Sequence, residues 1–104
     1  MSTLRLLIVD DHQVVRLGLR ALLGSDVELR VVGEAGTAAE AVSMTEQLQP
    51  DVVLMDVRLP DQSGIAACRQ IRQQWPATHV LILTSFADEA LVLEAIEAGA
   101  AGMC

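Results

Sequence analysis

The chain has 104 residues, fourteen Asp and Glu against seven Arg and no Lys, and a formal net charge of -7. It is the size of one domain, near the small end for an α/β fold, and its acidity argues against nucleic-acid contact by this segment. Apolar residues make up 52% of it but come in short runs, none long enough to span a bilayer, and no signal peptide opens the chain. The expectation is a cytoplasmic protein without membrane contact.

The first apolar run, Leu4 to Val9, predicts a strand and ends on Asp10 and Asp11. A helix follows over about His12 to Leu23, with Asp11 as candidate N-cap, Val15, Leu19 and Leu22 on its inward stripe, and Gly24 as its stop. Leu29 to Glu34 mixes charge into its alternation and reads as an edge strand. Thr37-Ala38-Ala39-Glu40 is a capping box opening a second helix, with Ala41, Val42 and Leu48 inward, that stops before Pro50. Val52 to Met55 is a third strand, ending on Asp56. A third helix runs from Gly64 to Gln74, with Ile65, Cys68, Ile71 and Trp75 in register and Pro76 as terminator. Gly64 lets the preceding loop turn and Pro60 stiffens it.

His79 to Thr84 is apolar almost throughout, as a strand covered on both faces should be. Asp88 caps a fourth helix over about Glu89 to Ala98, before Gly99. Ala100 to Cys104 resembles a fifth strand cut short. Strands alternating with helices signal βαβ units, whose crossovers are right-handed in nearly all proteins. The two cysteines have neither CxxC nor Cys/His metal spacing, so a buried reduced thiol is the expectation.

If the first and third strands are adjacent and parallel, Asp10, Asp11 and Asp56 meet at the C-terminal edge of one sheet, where open α/β sheets place ligands. Carboxylates that close cannot all ionise cheaply. Either one holds a proton or a divalent cation neutralises the group. Each residue has a structural alternative: Asp10 and Asp11 as a strand-end turn with a helix cap, Asp56 as a solvated loop acid, Thr84 as an ordinary β-branched strand residue. His12 reads as a surface or capping residue, Asp61 as a loop acid, and His79 as a strand-entry residue.

Four segments in order, Leu7-Ile8-Val9-Asp10-Asp11, Asp56 through Gly64, Leu81-Ile82-Leu83-Thr84-Ser85 and Ala98-Gly99-Ala100-Ala101-Gly102, resemble the receiver domain of two-component response regulators. Asp11 through Leu19 and Val32-Gly33-Glu34-Ala35 resemble the NarL/FixJ subgroup, whose receivers precede a LuxR-type helix-turn-helix output domain. The resemblance implies a flavodoxin-like, CheY-like fold with a five-stranded parallel sheet of order 2-1-3-4-5. It implies that Asp56 is the phosphoacceptor for a sensor histidine kinase. Asp11 and Asp56 then ligate Mg²⁺ directly, Asp10 largely through water, and the Arg58 backbone carbonyl completes the protein share. Thr84 becomes the switch hydroxyl. Such a domain is a signalling phosphoacceptor, not an enzyme beyond its own phosphorylation and dephosphorylation. It forms a homodimer and reaches DNA only through its output domain.

The chain departs from the family at two points. It has no lysine near the end of strand 5, and Met103 holds the aromatic switch position. The expectation is one receiver domain over residues 1–104, truncated within or just after strand 5, with helix 5 missing. A haloacid-dehalogenase-like phosphohydrolase needs an acid two residues after its nucleophile; Asp10 is followed by Asp11-His12 and Asp56 by Val57-Arg58, so that spacing fails. A phosphorylation-independent dimerisation module of pseudo-receiver type remains the alternative.

Overall fold

The computed structural model describes residues 3–83 and 94–103. Thr84, Ser85, Asp88, most of the fourth helix expected over Glu89 to Ala98, and Cys104 lie outside the described residues. Five parallel strands form one sheet in the order β2-β1-β3-β4-β5. They are β1 (Leu4–Val9), β2 (Leu29–Ala35), β3 (Val52–Asp56), β4 (His79–Leu83) and β5 (Gly102–Met103). The helices are α1 (Gln13–Gly24), α2 (Ala38–Leu48) and α3 (Gly64–Gln74), and residues 94–97 are also helical. This is the flavodoxin-like α/β architecture that the resemblance implied, and β2 is the edge its mixed charge suggested.

Alternation along the strands sorts the core. Leu7, Val9, Val53, Met55, Val80 and Ile82 are buried with Ala38 and Ala41 of α2 and with Ile65, Cys68 and Ile71 of α3; Ala95 and Ala98 close the same cluster. Each large aliphatic side chain buried there contributes about 1.5–3 kcal/mol. Leu6, Ile8 and Leu54 alternate onto the opposite face of the sheet. Cys68 is a free, buried thiol, and burial pushes it above the ordinary thiol value. Trp75 is half-buried against the same core.

Helix α1 corrects the expected stripe. Val15 and Leu22 are exposed, at 42% and 70%, and no residue of α1 is buried. The half-buried residues are Arg16, Leu19 and Leu23, one at i and the others at i+3 and i+7. The helix is therefore turned so that Arg16 faces inward. On that side Arg16 Nε donates to Glu34 Oε1 at 3.2 Å, and its terminal nitrogen donates to the Asp10 carbonyl.

The register fixes the ligand edge. Val9 pairs with Met55, and Asp56 pairs with Leu83, so the C-terminal ends of β1, β3 and β4 lie side by side.

Candidate functional site

The acid rim follows from that register. One carboxylate oxygen from each of Asp10, Asp11 and Asp56, with a ring nitrogen of His12, all lie within 4.8 Å of one another. Asp10 and Asp56 are half-buried and Asp11 is exposed. The three acids expected from sequence are therefore together. Arg58 is beside them: its backbone N–H points to Asp56 Oδ1 at a long 3.4 Å. Thr84 lies outside the described residues, although Leu83, its neighbour in sequence, pairs with Asp56.

Burial, then the charge of Asp10, pushes the Asp56 carboxyl above the ordinary carboxylate value; amides of Arg58 and Val57 oppose the shift without cancelling it. A carboxylate in this position is short of positive charge. His12 supplies part of it when protonated. Its Nδ1 lies 3.0 Å from Asp10 Oδ1 and 3.0 Å from Asp11 Oδ1, and the hydrogen bond to Asp10, followed by the charge of Asp11, raises the imidazole above its usual value. Reading His12 as a surface or capping residue captured its exposure and its N-cap position but gave it no place in the cluster. The clue was its adjacency to two acids at a helix start.

The helix start itself differs from expectation. His12, not Asp11, is the N-cap of α1, and it makes no side-chain cap bond. Asp10 Oδ1 instead accepts the His12 N–H at 2.8 Å. That turn satisfies one orphan amide of the helix and leaves Asp11 uncommitted to a capping role. A second device holds the same corner: Glu34 on β2 accepts from Arg16 Nε and, at 2.6 Å, from Arg20 Nε, while Arg16 also reaches the Asp10 carbonyl. Two guanidinium groups spaced four residues apart on α1 and one acid on an edge strand were legible as charges. Their joint partner was not.

On the other side of the rim, the loop from Val57 to Ser63 is closed at its base. Gly64 N–H donates to Val57 O at 2.7 Å, and Arg58 and Ser63 form an isolated antiparallel bridge. Gly64 is required by proximity and not by turn geometry. A Cβ placed on it would stand 1.9 Å from the Asp56 carbonyl oxygen, and the only described glycine with positive φ is Gly99. This corrects the role expected of Gly64. Helix α3 starts as near to the end of β3 as a backbone can.

The donor set suits a small hard cation. Mg²⁺ takes oxygen ligands at about 2.0–2.1 Å, keeps several waters, and binds through one or two carboxylates with substrate phosphate oxygens. Three carboxylates and a nearby main chain, open on one side, fit that description.

Residues 6–104 match the family described as the response regulator receiver domain. The chain is 51% identical over 98 residues to the DNA-binding transcriptional activator DevR/DosR of Mycobacterium tuberculosis, covering 94% of this chain and 45% of that protein. Among solved structures it resembles a two-component response regulator of the LuxR family from Aurantimonas (TM-score 0.93, 44% identity, 98% of this chain and 73% of that one). It also resembles the signal receiver domain of the putative response regulator NarL from Mycobacterium tuberculosis (TM-score 0.94, 32% identity, 99% and 83%). The chain spans about half the length of the curated relatives it matches.

Proposed function

Because the chain belongs to the response regulator receiver family, we propose that its acid rim is a phosphoacceptor centre in which Asp56 takes a phosphoryl group from the phosphohistidine of a sensor histidine kinase. The observation that carries this reading is the convergence of Asp10, Asp11 and Asp56 within 4.8 Å at the C-terminal edge of the sheet, with burial and the charge of Asp10 raising the Asp56 carboxyl above the ordinary carboxylate value.

In the transfer, an Asp56 carboxylate oxygen forms the new P–O bond as the P–N bond to the donor imidazole breaks. A carboxylate is a competent nucleophile at phosphorus, and the loose transition state asks mainly for positioning and charge neutralisation. Mg²⁺, when bound, supplies the positive charge that offsets both the acids and the transferring phosphoryl oxygens. Asp11 and Asp56 would hold it directly, Asp10 through water, and the Arg58 carbonyl would complete the protein share. Asp10 is kept in place by its bond to the His12 amide and by Arg16 on its carbonyl. Gly64 holds the Asp56 main chain against the start of α3.

Thr84 follows Leu83 at the end of β4 and is the proposed switch hydroxyl, donating to the phosphoryl group once it is on Asp56. The new dianionic group then biases the surface beyond β4, and the domain signals by that change while catalysing only its own phosphorylation and dephosphorylation. The chain is the receiver domain of a cytoplasmic transcription regulator whose DNA contact lies in an output domain, a reading supported by its 45% coverage of DevR/DosR. No helix among the described residues is long and apolar enough to cross a membrane. The proposed homodimer draws support from Val14, Leu17 and Leu22, apolar residues that α1 leaves exposed.

Incubation with acetyl phosphate, with and without Mg²⁺, tests the reading by intact-protein mass spectrometry. The protein should gain one phosphoryl mass only with Mg²⁺, and Asp56→Asn should gain none. With no lysine in the chain, acetylation is a small competing reaction. Equal labelling of the Asp56→Asn variant would place the acceptor elsewhere.

A further inference from the structure

Asp61 stands apart from the acid cluster, exposed in the loop between β3 and α3, yet both of its carboxylate oxygens are engaged. Ala38 N–H donates to Oδ1 at 2.8 Å and Ala39 N–H donates to Oδ2 at 2.9 Å. These amides belong to the first turn of α2, on the far side of β3 in sequence. The N-cap Thr37 accepts only from Glu40 N–H, at 3.1 Å, so Asp61 takes two of the orphan amides that the local capping box leaves open. A carboxylate is favoured at that end of a helix by the backbone dipoles as well. The two amides hold the Asp61 carboxyl below the ordinary carboxylate value.

The consequence lies in what else that loop carries. Its base is closed by the Gly64 to Val57 hydrogen bond and the Arg58–Ser63 bridge, and Arg58 N–H points at Asp56 Oδ1. Beyond the base, Leu59 packs against the core, and Asp61 makes the loop's hydrogen bonds to α2. The loop is thus fixed at both ends of its height, and the peptide of Arg58 is set between those two fixtures.

We propose that Asp61 is a positioning residue for the acid centre: by docking the tip of the 57–63 loop onto the start of α2, it holds the Arg58 main chain beside Asp56, so that cation affinity depends on a contact made at the far side of the loop. This rests on the reading of the rim as a Mg²⁺-assisted phosphoacceptor. Outer-shell contacts that orient metal ligands change affinity by roughly 10–100-fold when removed. Asp61 acts on the Arg58 main chain through two intervening residues, Leu59 and Pro60, so the lower end of that range applies.

Titration of the full chain with MgCl₂, followed by amide ¹H–¹⁵N NMR shifts, tests it on wild type, Asp11→Ala, Asp61→Ala, Asp61→Asn and Thr37→Ala. Asp61→Ala should bind Mg²⁺ roughly tenfold more weakly than wild type. Asp61→Asn keeps one acceptor oxygen and should fall between the two. Thr37→Ala removes a cap bond of the same helix without touching the loop; it should lower thermal stability and leave Mg²⁺ affinity unchanged. Wild-type affinity in both Asp61 variants would overturn the proposal, as would an equal loss in Thr37→Ala, which would trace the effect to a loosened helix. Asp11→Ala separates the two levels of the argument. If it binds Mg²⁺ as wild type does, the metal reading fails and this inference with it; if it abolishes binding while Asp61→Ala does not weaken it, only the inference fails.

Discussion

Replacing Gly64 by alanine puts the closest contact of the site under direct test. The added Cβ would lie 1.9 Å from the Asp56 carbonyl oxygen, 2.9 Å from its carbonyl carbon and 3.1 Å from Met55 Cγ. Real Cβ atoms essentially never approach below 3.0 Å, and the nearest obstacle here is backbone, which has no rotamer to change. Either the end of β3 or the start of α3 must shift by about 1 Å, in a segment where Asp56 is paired with Leu83 and Gly64 with Val57. Overpacking of this kind costs about 1–3 kcal/mol, against which the better helix propensity of alanine offsets at most about 1 kcal/mol, and less at a first helical position. A net loss of about 2 kcal/mol lowers Tm by roughly 8–16 °C in a domain of this size. Because the displaced group is the main chain of the proposed nucleophile, phosphorylation by acetyl phosphate should slow by about a hundredfold, the scale expected for a 1 Å misplacement. Gly18→Ala is the control: nothing lies within 4 Å of its Cβ position and it sits inside α1, so it should raise stability by roughly 0.5–1 kcal/mol. Thermal unfolding by circular dichroism and a time course of intact mass read both effects. A Gly64→Ala protein as stable as wild type, phosphorylated at the same rate, would refute the reasoning.

Asp56→Asn should stabilise the metal-free protein. Burial and Asp10 raise the carboxyl of Asp56, so its ionised form is disfavoured in the fold, and removing that charge should gain up to about 1 kcal/mol, seen as a higher Tm that Mg²⁺ narrows. A lower Tm in the variant without metal would contradict the electrostatic reading. For Asp61 the sign is opposite: its folded value lies below the ordinary carboxylate value, so its contribution to stability is present above about pH 4 and is lost as the pH falls through the lower folded value. Melting curves of wild type and Asp61→Asn should therefore differ at neutral pH and converge in acid; a constant difference would exclude the ionised clasp. Thr84→Ala should still accept the phosphoryl group but lose phosphorylation-induced dimerisation, read by light scattering. Equal dimerisation in wild type and variant would remove Thr84 from the switch.

The elements whose signal is local were legible in the sequence. β1 and α3 have the bounds that hydrophobic period and Pro76 implied, and the Thr37–Glu40 box caps α2 as its spacing suggests. The strand order came from family resemblance, and the rim of Asp10, Asp11 and Asp56 followed from that order. What the sequence hid depends on partners distant in the chain. Arg16 shares the inward side of α1 with Leu19 and Leu23 and reaches Glu34, eighteen positions on. Asp61 looked like a loop acid because its two amide donors lie on another helix. Gly64 looked like a turn residue because only the assembled sheet shows how near α3 comes to Asp56.

The central claim is that Asp56 is the residue that carries the phosphoryl group. Borohydride reduces an aspartyl phosphate to homoserine, leaving a permanent mark at the acceptor. After treatment with acetyl phosphate, Mg²⁺ and borohydride, peptide mapping should find homoserine at position 56 in wild type, and none there when the phosphodonor is omitted. Homoserine at Asp10, Asp11 or Asp61 instead, or at no position, would contradict the account.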